Sequence, residues 1–176
     1  APGVIKVGIS QEERGIRRLL EQGARLALKL ETFASALIAR QYEAKIARLD
    51  GIVETMPIHK KLELIKQSFD RADGEKKLQQ KLLKIEQKIG VSFPKAELIV
   101  CEDYFQTASV DLTRVILMKD KPQLVGHVLS VIGNIAITDY DGNLLGYNLK
   151  KYIGYRNQKI TEPIELELPS EQLTLF

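Results

Sequence analysis

Five acids, Glu102, Asp103, Asp111, Asp139 and Asp141, are of the type that could hold a divalent cation for phosphodiester hydrolysis. Their spacing argues against that chemistry. They fall at the ends of expected strands and in turns, where solvated carboxylates are commonplace. Asp139 and Asp141, in Thr138-Asp-Tyr-Asp-Gly-Asn143, suit a hairpin turn better than a calcium loop. If they were the third and fifth ligands of such a loop, Ile137 would be the first and Asn148 the twelfth. His59 and His127 stand alone, and with Cys101 as the single cysteine they offer no zinc spacing. No activating base is near Cys101 in sequence, so it reads as buried filler. Gly142-Asn-Leu-Leu-Gly146 lacks the Lys-Ser/Thr of a nucleotide-binding loop. These residue types predict a protein that is not an enzyme and carries no cofactor or metal.

The final residues carry a different kind of chemistry. Leu173, Leu175 and Phe176 place three large apolar groups within the last four positions. Such a tail either folds into its own core or enters a partner's pocket. Strand alternation suits it poorly, because Leu173 and Leu175 share one face and Phe176 takes the other. Pro169 and Ser170 precede the peptide, and a proline without an N–H would release the chain from a strand ending at Leu168.

Glu171-Gln172-Leu173-Thr174-Leu175-Phe176 resembles the Gln-Leu-x-Leu-Phe peptide by which many bacterial replication and repair proteins hold the DNA sliding clamp. The resemblance covers these six residues alone. It implies the bacterial sliding clamp as partner, with Gln172, Leu173, Leu175 and Phe176 carrying the contact. Gln172 would make oriented hydrogen bonds, and Leu175 and Phe176 would fill the apolar pocket. Burial of such side chains contributes about 1.5–3 kcal/mol each before ordering costs. A roughly micromolar tether results.

Charge is the second functional signal. The net charge of +3 is unevenly spread: residues 1–94 hold 18 Lys/Arg against 12 Asp/Glu, and residues 95–176 hold 8 against 11. The basic half could face a phosphate backbone. Arg14, Arg17, Arg18 and Arg25 crowd its first part, and Lys76, Lys77, Lys81, Lys84 and Lys88 recur near its end. If the two parts run side by side, they form one basic surface for nucleic acid; the competing reading is solubilising charge on helix flanks. No aromatic residue interleaves with these charges, so base stacking has little support there. Tyr147, Tyr152 and Tyr155, with Lys150, Lys151 and Arg156, form a more aromatic basic stretch, equally explained by strand packing.

The elements expected to position these groups give an α+β chain. Small or apolar residues recur at Ile16, Leu19, Gly23, Leu26, Leu30, Phe33 and Leu37, then after a shift at Tyr42, Ile46, Leu49 and Val53. The steps of three and four predict one helix over residues 11–54, about 65 Å long. Similar stripes predict helices over 57–70 and 75–89, so residues 1–94 read as a helical coiled-coil hairpin or bundle. From residue 95 to 168 the period changes to two. With Gly133-Asn134 and Asp141-Gly142 as hairpin turns, this predicts an antiparallel β-sheet or small barrel. Residues 169–176 would be the clamp-binding tail.

The composition contains no run long enough for a transmembrane helix, and the lone cysteine fits a reducing cytoplasm. The leading expectation is a non-enzymatic accessory factor of DNA replication, repair or mobile-element biology that is brought to the clamp. It would contact DNA or self-associate through the coiled coil. The alternatives are a phage-like inhibitor that blocks the clamp, and a coiled-coil assembly protein with no DNA role.

Overall fold

Glycine and local hydrogen bonding break the expected long helix into short pieces. In the computed structural model, which describes residues 4–118, 123–156, 158–159 and 168, residues 11–54 hold a 3-10 turn at Glu12–Arg14, α1 (Arg17–Gln22), β2 (Leu26–Lys29), α2 (Ala36–Ala47) and β3 (Ile52–Val53). β1 (Ile5–Lys6) precedes them and pairs with β3 in parallel. Gly23 stops α1. It takes the left-handed conformation at φ 71°, and the N–H groups of Gly23 and Ala24 close back onto Leu20 and Leu19. Beyond it, Leu26, Leu28 and Leu30 obey a period of two as well as helical steps. Strand pairing decides the ambiguity: β2 is antiparallel to β4 (Glu97–Val100), with Ala27 opposite Ile99.

The coiled-coil reading is therefore overturned, and self-association through a coiled coil loses its basis. The later helices were more legible. α3 runs Ile58–Ile65 and α4 runs Arg71–Ile89. Residues 71–74, left between the two expected helices, are the first turn of α4. There the Asp70 carboxylate accepts from the Asp73 N–H at 2.8 Å, and Gly90 ends the helix at φ 68°. The apolar faces of α2 and α4 close over a small core of Ile46, Ile52, Ile85 and Phe93. Phe33 and Tyr42 stack beside it with centroids 4.9 Å apart.

The second half holds a four-stranded sheet in the order β5-β8-β7-β6. β6 (His127–Ile132), β7 (Ile135–Tyr140) and β8 (Asn143–Asn148) form an antiparallel meander through both expected turns. β5 (Ile116–Leu117) joins β8 in parallel, so the sheet is mixed. Within the stretch expected to have a period of two, residues 112–114 form a 3-10 turn capped by Asp111. Both sheet faces are covered. Ile135 and Ile137 point toward Leu62 and Ile65 of α3, while Ala136, Leu145 and Tyr147 pack with Met118 and Val125. The β2–β4 ladder and the Leu62–Ile137 core thus both cross the expected boundary near residue 94. The expected strand at 164–168, apart from Leu168, and the tail at 169–176 lie outside the described residues.

Candidate anion-binding site

Two backbone approaches create a site that no sequence spacing reveals. The C-cap of α1 meets the β6–β7 turn so closely that a Cβ on Gly133 would lie 2.8 Å from the Gly23 nitrogen. Gly133 also has φ 62°, where a side chain is strained. This contact sets Gln22 beside Asn134, and α3 slots Lys61 between them. The Lys61 ammonium donates to the Gln22 carbonyl at 3.0 Å and to Asn134 Oδ1 at 3.3 Å. From β1, Lys6 donates to Gln22 Oε1 at 3.0 Å. The Asn134 amide donates to Asn148 Oδ1 at 2.9 Å, and the same oxygen accepts from the Lys150 N–H. One polar network therefore joins β1, α1, α3, the β6–β7 turn and the end of β8.

Its electrostatics are those of gathered cations. Partial burial, then Arg18, then Lys150 lower the Lys6 pKa, and Glu43 is the acid that opposes the shift. Burial comes first for Lys61 too, followed by repulsion from Lys150, Lys6 and Arg18. A lowered folded-state pKa contributes stability above the ordinary lysine range, and that contribution is lost as pH falls through the folded value. At neutral pH the charged cluster therefore works against the fold, and a bound anion would relieve it.

Gly133→Ala should cost about 2–4 kcal/mol from positive-φ strain and overpacking together, and so lower Tm by roughly 4–16 °C. Differential scanning calorimetry checks it; an unchanged Tm would mean that α1 and the turn are not locked together.

The other basic residues singled out by the sequence serve different ends. Arg14 pairs with Glu21 at 2.5 Å, and Arg18 reaches the same carboxylate at 3.9 Å. Arg17 is exposed on α1. Arg25 is turned inward: it donates to the Ile65 and Gln67 carbonyls at the end of α3 and lies over the Phe69 ring. On α4, Lys77 pairs with Asp73, and Lys81 donates to the Asp50 carbonyl. Lys76, Lys84 and Lys88 are exposed. Of the basic residues singled out in the sequence, Arg18 and Lys150 stand at the Lys6–Lys61 network. Gln172, Leu173, Leu175 and Phe176 lie outside the described residues.

The five candidate acids are dispersed. Asp139 accepts from the Gly142 N–H inside the hairpin turn, Asp111 accepts from Thr113, and Asp103 faces Arg71. Glu102 faces Arg25 at 3.9 Å, and burial raises its pKa. Among the described residues no three His, Cys, Asp or Glu side chains gather as metal ligands would. Cys101 is fully buried, and its thiol pKa is raised by burial, the environment of an unreactive cysteine. Among the described residues, no helix is long and apolar enough to cross a membrane.

Residues 1–156 match the model of a family described as "Protein of unknown function (DUF2797)". The chain belongs to the DUF2797 family. No curated protein and no solved structure matches it. The DUF2797 match takes in every residue of the Lys6–Lys150 network and ends before the clamp-like peptide begins. The cationic network is thus part of the family body, whereas the peptide lies beyond the matched span.

Proposed function

We propose that this protein is a non-enzymatic accessory factor of bacterial DNA replication, repair or mobile-element biology, recruited to the sliding clamp. Gln172, Leu173, Leu175 and Phe176 are the recruiting residues. The observation that carries the reading is the peptide itself: an amide, three apolar groups and a preceding Pro169-Ser170 in the order a clamp pocket accepts. Its place after the family-matched body suits a tether that delivers whatever the body does. The basic body supplies nucleic-acid contact. A reducing cytoplasmic setting follows from the partner and agrees with a single, buried cysteine.

Size-exclusion chromatography with purified clamp tests recruitment. The full chain should co-elute, and Leu175→Ala/Phe176→Ala should not. Absence of co-elution by the full chain would overturn the proposal. DNA affinity that falls steeply with salt separates an accessory factor from a clamp-blocking inhibitor, which needs no DNA contact.

A further inference from the structure

The geometry points to the Lys6–Gln22–Lys61–Asn134 network, with Arg18 and Lys150 beside it, as a seat for a backbone phosphate of nucleic acid. This deepens the nucleic-acid part of the proposed function and stands without the clamp peptide. Lys29, Lys60 and Lys77 are each paired with a carboxylate, of Glu12, Glu63 and Asp73. Lys6 and Lys61 are held by neutral acceptors instead, the side chain and carbonyl of Gln22 and the amide of Asn134. Such partners fix the direction of an ammonium without cancelling its charge. An ammonium has three donors, so both lysines keep N–H groups for a further oxygen acceptor.

The nearby acids do not neutralise the group. Glu43 offsets part of the repulsion at Lys6, no acid is among the charges that act on Lys61, and Glu21 is engaged by Arg14 and Arg18. Burial and mutual repulsion already disfavour the charged lysines, and a phosphate would reverse both effects. Elements from both halves of the chain, locked by the Gly23–Gly133 contact, set the arrangement before any ligand arrives. Oriented donors from an exposed Lys6 and a half-buried Lys61 suit one phosphate held in fixed geometry. A lipid surface is attracted more diffusely and needs no such network.

Fluorescence anisotropy with a short labelled DNA duplex, across a salt series, tests the seat in the full chain. Lys6→Gln/Lys61→Gln should weaken binding and reduce the slope of log affinity against log salt by about 1, the contribution of the one phosphate that the pair holds. Lys84→Gln/Lys88→Gln, with the same change in charge, should leave the slope unchanged. Wild-type amide NMR guards against a folding artefact: inorganic phosphate and the duplex should both shift the Gln22, Asn134 and Lys150 signals.

Equal or greater loss from the Lys84/Lys88 pair would overturn the assignment. So would shifts confined to other residues, or binding to phosphatidylserine vesicles without binding to the duplex. Deleting residues 172–176 should leave DNA binding intact, and the Lys6/Lys61 variant should still co-elute with the clamp, so failure of one reading is distinguishable from failure of the other.

Discussion

Arg25→Ala is expected to cost about 3–5 kcal/mol of stability, the loss typical of stripping one partner from an interior charge pair. The midpoint of thermal unfolding should fall by roughly 6–20 °C. The guanidinium donates to the Ile65 carbonyl at 3.0 Å and to the Gln67 carbonyl at 3.3 Å. Hydrogen bonds from a charged donor contribute about 1.5–3 kcal/mol each, and the Phe69 face, 5.1 Å away, adds a smaller cation–π term. On its backbone side, the Arg25 carbonyl accepts from the Cys101 and Glu102 N–H groups, so one residue clasps the end of α3 to the end of β4.

Removing the side chain also strands Glu102, whose Oε2 is buried without a hydrogen-bond partner and sits 3.9 Å from Arg25 Nε. Burial raises the Glu102 pKa, with Arg25 opposing the shift. A raised folded-state value means that the protonated form favours the fold, and this contribution is lost as pH rises through that value. The Arg25→Ala defect should therefore shrink as the buffer is made acidic, and Arg25→Ala/Glu102→Gln should recover part of the loss at neutral pH. Arg25→Lys should recover little, because an ammonium cannot span two carbonyls and stack on a ring in the same pose. Circular dichroism melts of the four proteins check this. A midpoint within about 4 °C of wild type for Arg25→Ala would show that the clasp contributes less than about 2 kcal/mol, against the value expected.

Arg25 also shows where sequence reading runs out. By type and position it belonged with Arg14, Arg17 and Arg18 as a candidate phosphate contact, and only the β2–β4 pairing turns it inward. The α+β class, the β6–β7–β8 meander and its two turns were legible, because alternation and glycine-bearing turns are local signals. The long helix was not. Leu26, Leu28 and Leu30 satisfy two periods at once, and the partner that selects the strand, Glu97–Val100, is remote in sequence. Asp70, placed at the end of the expected helix over 57–70, instead caps α4, because a carboxylate there can accept from the first-turn N–H groups. The Lys6–Lys61–Lys150 grouping had no local signature, since its members come from three unconnected elements. Gly133 was legible as a turn residue; that it also had to be small against Gly23 was not.

The largest functional effect expected is from deleting residues 172–176. In the proposed complex Leu175 and Phe176 are the side chains that enter an apolar pocket, each contributing about 1.5–3 kcal/mol. Losing both, with the Gln172 hydrogen bonds, takes a micromolar tether to hundreds of micromolar or weaker. The body should be untouched, because the described cores are built from residues no later in the chain than Tyr152. Isothermal titration of the full chain into purified bacterial sliding clamp, repeated with the deletion and paired with a melt of each free protein, is the direct measurement. Recruitment predicts micromolar binding by the full chain, none by the shortened chain, and equal melting temperatures. No heat from the full chain, or a shortened chain that melts lower yet binds as before, would contradict it.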